Sequence, residues 1–347
     1  MFFDYNNLNH MKKLLLGIRT ESEINIGDYI QALASSQFLP SLDGFIQREH
    51  LNSYEGDEAK IILNGWFMHH PQNWPPSKKI TPLFVAFHIN SLAKVALLSE
   101  QSIHYLKQFQ PIGCRDMQTM KMLKEKGVDA YFSGCMTLTL GYKYKSLEKD
   151  DTCYFVDPYF VTQWNIIQII KNTFYLLFHW KDVTVIAKKY PEKKGGLRKK
   201  MILTTFYREY LKIFSRETLL NAKYINQQSA DLKVSGWNDF DYLKSAEELV
   251  KNYARAKLVV TSRIHCALPC LGLETPVIYV EDLQQSEASL CRLEGLRELL
   301  TILHWDRNKL KPQFTFKDKI SIHNLPGNKN NWKEIAKNLI DRVKSFV

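Results

Sequence analysis

The strongest constraint on the fold is a rhythm in the first 145 residues, where short apolar runs alternate with helix-compatible stretches. Lys13–Ile18, Lys60–Asn64, Leu83–His88 and Pro111–Cys114 have strand character, and Gly27–Phe38, Ser91–Gln108 and Met117–Lys126 separate them as helices. Strands that alternate with helices build a parallel sheet, because every parallel step needs a crossover. Lys126 and Gly127 close the third helix with a cation in its last turn and a glycine just beyond. A polar stretch from Lys143 to Asp151 reads as a linker. The rhythm then restarts with Cys153–Val156, Tyr224–Asn226, Leu258–Thr261 and Val277–Val280 as strands. Ser245-x-x-Glu248 has the form of a capping box opening a helix over Ser245–Ala256. The expected fold is α/β, with two Rossmann-like, doubly wound domains facing each other across a cleft. Their expected bounds are 1–145, with a core from residue 13, and 150–330, followed by an amphipathic helix over 331–347 docked on the surface. A chain of 347 residues with 45% apolar content holds two cores of ordinary size.

The net charge of +11 is concentrated in one place. From Tyr159 to Arg216 there are twelve Lys and Arg against three acids, a local charge of +9. This segment, an insertion over about 160–221, reads as a helical hairpin of Trp164–Trp180 and Met201–Asn221 joined through Pro191–Gly196, an elaboration rather than core. Its aromatics, Trp164, Phe174, Tyr175, Phe178, Trp180, Phe206 and Tyr207, alternate with the basic residues. That mixture predicts an anionic surface as partner, the inner leaflet of the cell membrane, against the plainer expectation of a solvated hairpin packed on its own domain. No nucleic-acid-binding motif accompanies the charge, so no nucleic acid is expected. The start Met11–Leu16 imitates an export signal, but Arg19, Glu21 and Glu23 follow too soon, so a buried first strand behind a ragged extension is expected, with Met11 as the natural start. No run reaches the roughly 18 apolar residues of a membrane span; the best, Trp164–Ala187, is broken by Lys171, Lys181 and Asp182. The expectation is a cytoplasmic protein, peripheral on the inner membrane face. Six scattered cysteines without a CxxC pair read as reduced, buried thiols, Cys266 and Cys270 included.

In open α/β sheets ligands collect at the carboxyl ends of strands. The residues that follow the expected strands are Asn25, Gly27 and Asp28; Asn64, Gly65 and Trp66; His88; Arg115 and Asp116; Ser262, Arg263 and His265; and Glu281 and Asp282. Two arginines and two histidines on either side of the expected cleft suit a small dianion. Arg grips phosphate or carboxylate through a planar fork, and His donates a proton near neutral pH. Arg115-Asp116 also reads as a surface ion pair at a helix start, His88 as a satisfied core histidine, and Asp28 as an N-cap. Arg263 and His265 are the sharpest pair, because they stand between an apolar strand and an apolar helix, where burial without a ligand is costly. Asp239-Phe240-Asp241 matches a metal-holding DxD pattern but precedes a helix, so a turn or cap is the expected role and no metal site is assigned. No phosphate-cradling glycine loop is present.

Asn25-Ile26-Gly27-Asp28-Tyr29-Ile30-Gln31, Cys114-Arg115-Asp116 with Gly127-Val128, and Thr261-Ser262-Arg263-Ile264-His265 followed by Thr275-Pro276-Val277-Ile278 together resemble the polysaccharide pyruvyl transferase family, over about residues 13–325. The resemblance implies a fold like the two-domain GT-B glycosyltransferases and phosphoenolpyruvate as donor, with no cofactor or metal. It implies a cyclic pyruvate ketal formed on a sugar, galactose by preference, of a polysaccharide or lipid-linked precursor. It also implies that Arg115, Arg263 and His265 occupy the donor site, with His88 a looser transfer. Combined with the chemistry of the residues, His265 becomes the expected general acid, Arg115 and Arg263 the anion clamps, and His88 a phosphate support or proton carrier. Asn25, Asp28, Asn64, Asp116, Ser262, Glu281 and Asp282 are the candidates for substrate contacts or the base. A nucleotide-sugar glycosyltransferase with the same cleft, and an inactive glycan- or lipid-binding protein, are the competing readings.

Overall fold

The computed structural model describes residues 11–17, 24–162, 165–191, 195–229, 232–285 and 292–347. Ile18, Arg19, Glu21, Glu23 and Trp164, named above, lie outside them, as do Glu192, Lys193 and Lys194 of the expected hairpin turn and the sixth cysteine, Cys291. The first half runs β1 (Lys12–Gly17), β2 (Ile24–Asn25), α1 (Ile26–Ser36), β3 (Gly44–Gln47), β4 (Ala59–Phe67), β5 (Ile80–Ile89), α2 (Lys94–Leu97), α3 (Glu100–Lys107), β6 (Ile112–Cys114), α4 (Met117–Glu125), β7 (Ala130–Phe132) and α5 (Gly141–Tyr144). The second runs β8 (Asp150–Val156), α6 (Ile166–Lys189), α7 (Leu197–Tyr210), α8 (Arg216–Asn221), β9 (Lys223–Ile225), β10 (Gln228–Ser229), α9 (Asp239–Arg255), β11 (Ala256–Thr261), α10 (Ile264–Gly272), β12 (Val277–Asp282), β13 (Thr301–Asp306), β14 (Lys309–Pro312) and α11 (Trp332–Lys344).

The strands form two six-stranded sheets, β3-β1-β4-β5-β6-β7 and β14-β13-β12-β11-β8-β9. Every pairing is parallel except that of β14 with β13. Counted within its own sheet, each half has the doubly wound order 2-1-3-4-5-6, whose direction of winding reverses beside the first strand. The reversal falls between β1 and β4 in one half and between β8 and β11 in the other. A short antiparallel ribbon of β2 with β10 ties the halves together there.

Side chains alternate across each strand, so each sheet serves two cores. Leu14, Ile61, Phe84 and Phe87 face outward onto α3 and α4, with Ile103, Leu106 and Leu123. Cys153, Phe155, Leu258 and Val260 face outward onto α6–α8. The inner faces share one continuous apolar cluster, with Val85 of β5, Leu33 of α1, Tyr154 of β8, Val250 of α9 and Leu268 of α10 all in it. Glycines allow the halves to approach closely: a Cβ at Gly141 would overlap the Gly272 carbonyl oxygen, and one at Gly272 would lie 2.5 Å from the Leu138 carbonyl oxygen. α11 adds Trp332, Ala336, Leu339 and Val343 to this inner cluster.

Four expectations are corrected. Ser245 lies inside α9; the capping box belongs to Asn238 and Asp241, because the buried stripe Tyr242, Ala246, Val250 and Tyr253 extends the helix upstream of it. The expected linker is partly α5 and partly the start of β8. β12 runs through Glu281 and Asp282, which therefore end the strand rather than follow it. The basic insertion is no elaboration: it is the crossover between parallel β8 and β9, and Leu176, Val183, Phe206, Tyr207 and Tyr210 of α6 and α7 form the outer core of the second sheet. Within it Lys199 is buried and donates to the Tyr190 carbonyl at 2.8 Å. The five described cysteines are free and buried.

Candidate active site

Chemistry-bearing side chains gather where the two reversal points meet. On the first half, Asn25 caps α1 by accepting from the Gly27 N–H at 3.0 Å, which sets Asp28 and Gln31 on the first turns of the helix. On the second, Asp157 follows β8 with a left-handed backbone (φ 41°), a conformation that Asp tolerates better than most residues. Its carboxylate accepts from the Gln227 N–H at 2.8 Å and from Arg263 Nε at 3.1 Å, and its carbonyl accepts from the Ser262 hydroxyl at 2.6 Å. Arg263 Nη1 donates to Gln228 Oε1 at 2.9 Å. Asp157 and the β10 strand thus hold Arg263 and Ser262 in place.

His265 stands at the contact of the halves, in the first turn of α10 and with non-helical backbone (φ −82°, ψ 17°). Its carbonyl accepts from Gln227 Nε2, and a Cβ on Gly27 would come within 3.0 Å of its own Cβ, so glycine at 27 lets imidazole and helix start touch. Gln31 Nε2 donates to Asp28 Oδ1 at 3.1 Å and lies 3.3 Å from His265 Nδ1. Because that nitrogen already donates to a carboxylate, it is the amide NH₂ and not the oxygen, which assigns His265 Nδ1 as acceptor and puts the ring proton on Nε2. Nε2 is buried without a partner among the described residues. Burial, and then the charges of Arg115, Arg292, His88 and Arg263, hold His265 well below its ordinary value, so it is neutral in the free site.

His88 is also delivered by an irregularity. The β4–β5 register shifts between Leu63 and Gly65, and Ala86 takes a left-handed φ of 52°. The bulge moves the side-chain alternation by one, so Phe84 and Phe87 both join the outer core, Val85 and Ala86 the inner, and His88 falls on the inner side. Its Nδ1 donates to Asp116 Oδ2 at 2.6 Å, and Nε2 has no partner among the described residues. Asp116 also accepts from the Thr119 N–H and hydroxyl, so it is at once the N-cap of α4 and the orienter of His88. Burial and the Arg115 charge push His88 down to about 4, with Asp116 opposing. Arg115 is buried, and its guanidinium makes no hydrogen bond or ion pair among the described residues. Burial lowers its proton affinity, with Asp116 and Asp28 opposing.

Four contributors escaped the sequence reading: Gln31, Arg48, Asp157 and Arg292. Arg48 is buried directly after β3, its guanidinium 4.8 Å from the Trp66 ring, and it acts on Asp28 together with Arg115 and His69. Burial outweighs these cations and raises Asp28. Other candidates lie apart from this cluster. Asn64 is buried between Ser35 and the Gln31 carbonyl, fixing α1 on β4. Glu281 is committed to Arg297 at 2.9 Å and His304 at 3.2 Å, and Asp282 accepts from the Gln284 N–H and the Tyr159 phenol. Asp239 accepts from the Tyr29 hydroxyl at 2.7 Å and Asp241 completes the α9 cap. Among the described residues no cluster of three or more His, Cys, Asp or Glu is arranged to hold a metal.

Parallel sheets flanked by helices thus carry arginines and imidazoles at their strand ends, the place where open α/β sheets collect ligands. The chain belongs to the polysaccharide pyruvyl transferase family, whose model matches residues 25–282, well over half of its length. Membership implies a transferase acting in polysaccharide synthesis. No curated protein matches the chain.

Proposed function

We propose that the protein transfers an enolpyruvyl group from phosphoenolpyruvate to a sugar of a polysaccharide or lipid-linked precursor, galactose by preference, and closes it as a cyclic ketal. The observation that carries this reading is the buried His265 Nε2, without a partner among the described residues, in the field of Arg115, Arg263 and His88. Arg115 and Arg263 hold the donor's phosphate and carboxylate, with Arg48 and Arg292 adding to the field. His265 delivers a proton to the methylene carbon, C2 becomes an oxocarbenium-like electrophile, and a sugar hydroxyl adds to it, giving up its proton to the base. Phosphate leaves with the C2–O bonding pair, and a second hydroxyl closes the ketal and releases its proton. Asp28, raised by burial, is the candidate base beside the acid. His88, aligned by Asp116, supports the phosphate. On this reading the protein is a two-domain, GT-B-like enzyme with its site in a cleft between the halves, working without metal or cofactor in the cytoplasm. Commitment of Asp239 and Asp241 to structural bonds weighs against the nucleotide-sugar alternative that a DxD metal site would serve.

The free-site depression of His265 has a kinetic consequence. A bound anion offsets the surrounding positive charge and raises the imidazole's proton affinity, so the acid-form pKa in kcat lies above the one in kcat/KM. The test incubates the protein with phosphoenolpyruvate and galactose-containing oligosaccharides and seeks, by mass spectrometry, a gain of one pyruvate less water. His265→Ala is expected to lower kcat by about 10²–10⁴-fold. Turnover unaffected by that substitution removes His265 from the chemistry, and product formation from a nucleotide sugar instead overturns the reading.

A further inference from the structure

α6 is apolar on both sides. Its inner face packs into the core of the second sheet through Leu176, Val183 and Ile186. Its outer face carries Ile166, Ile170, Phe174, Leu177, Phe178 and Trp180, all exposed, with Ile166 at 74%, Leu177 at 66% and Phe178 at 84%. A helix apolar all round is ordinarily buried all round. Here the outer stripe spans four turns, about 22 Å, ending beside His179, which breaks the helical geometry, and the charged pair Lys181-Asp182. Patches of this kind mark a surface that is covered in use.

We infer that this stripe docks the protein on an anionic phospholipid bilayer, with α6 lying in the interfacial plane. The stripe offers no hydrogen-bonding code: its Thr173 hydroxyl is already spent on the Ile169 carbonyl. Its surroundings are predominantly cationic, and the one acid lining the neighbouring groove, Glu209, is paired with Arg208 and Lys212. The helix has Lys171, Lys181, Lys188 and Lys189, and Lys200 of α7 sits over the Trp180 ring at 3.8 Å. The single acid of the helix, Asp182, is turned inward and paired with Arg216 and the Tyr207 hydroxyl. Beside the stripe a groove of about 660 Å³ runs from Ile170 and Phe174 to the turn between β13 and β14, with Lys171, Lys212, Arg307 and Lys309 in its lining. Apolar walls with cationic rims suit acyl chains beside acidic headgroups. No helix among the described residues is long and apolar enough to cross a membrane, so the contact is peripheral.

The stripe also sits at a useful end. α6 begins shortly after β8 and the Arg307 turn follows β13, so both lie at the carboxyl edge of the second sheet, where Arg263 and His265 also lie. A bilayer under this edge faces the side of the molecule that carries the candidate site. The inference does not depend on the reaction proposed above.

The test measures co-sedimentation of the full chain with vesicles of phosphatidylcholine alone or mixed with phosphatidylglycerol. Binding is expected only to the mixed vesicles and to weaken with salt. The variant Lys171→Glu/Arg307→Glu/Lys309→Glu is expected to lower partitioning by roughly fivefold for each cation removed. Phe174→Ser/Phe178→Ser is expected to abolish the fraction that survives high salt. Both variants keep the thermal transition of the unmodified protein; should the apolar variant not fold, the charge variant, altered only at exposed side chains, decides. Absence of binding at low salt, or binding unchanged in the variants, overturns the inference. So does a concentration-dependent dimer that Phe174→Ser/Phe178→Ser dissolves without any vesicle binding, since the stripe then belongs to a second copy.

Discussion

His88 shows how one residue joins stability to the candidate chemistry. Held to about 4 in the folded protein, against about 6.5 in the unfolded chain, it binds no proton in a window where the unfolded chain does. Stability from this group is therefore fully present above about pH 6.5 and is lost as pH falls toward about 4, by at most about 3 kcal/mol. Burial and Arg115 set the direction and Asp116 limits it. Urea unfolding across that range is expected to show falling stability, and His88→Gln to flatten the slope by this share; a slope untouched by the substitution locates the proton elsewhere. His88, Arg115, Arg263 and His265 were visible in the sequence because each follows an apolar run with a group that burial penalises. Gln31, Arg48 and Asp157 were not. Gln31 is a neutral residue inside a helix, and its value lies in fixing which imidazole nitrogen bears the proton. Arg48 follows the short strand β3, which has only one buried residue and no readable alternation. Asp157 has the look of a turn residue, and only the fold brings Arg263 and Gln227 to its carboxylate.

At the scale of an element, α1 is the piece whose start matters most. Its cap on Asn25, the β2–β10 ribbon just before it and the bond from the Ile26 N–H to the Gln227 carbonyl fix the first turn against α10. A methyl at Gly27 meets Asn25 Oδ1 at 2.9 Å and His265 Cβ at 3.0 Å. Gly27→Ala is therefore expected to cost about 1–3 kcal/mol in overpacking and to lower kcat more than it raises the KM for the donor, because the imidazole moves while Arg115 stays. Steady-state kinetics beside a thermal melt check this; a melt shift with normal kcat leaves Gly27 a packing residue only. The βα alternation made most elements legible, since period and length survive in the sequence. The start of α9 was not, because two box-like tetrads compete and only the apolar stripe beginning at Tyr242 chooses Asn238. The character of α6 was equally hidden: one apolar face is core and the other is surface, a difference that composition cannot express.

The molecule as a whole sets two similarly wound sheets with their reversal points toward a common site, and the glue between them is apolar rather than polar. Ile62, Leu83 and Val85 of the first sheet and Val156, Val259 and Tyr279 of the second belong to the same inner cluster, filled between by α1, α9, α10 and α11. Gly272 against Leu138, and Lys149 donating to the Ala254 carbonyl and Thr275, add close contacts at or near the same join. Separating the halves exposes this cluster, and at roughly 25 cal/mol per Å² of apolar surface even a few hundred Å² outweighs the entropy gained. The two sheets are therefore expected to unfold together despite being separate in sequence. Hydrogen exchange read by mass spectrometry tests it directly: peptides from β4–β5 and from β11–β12 should open with the same free energy, within about 1 kcal/mol, and report one cooperative unit. Protection in one sheet persisting after the other has exchanged means that the inner cluster divides, that each half carries a core of its own, and that motion between the halves is open to the site at their junction.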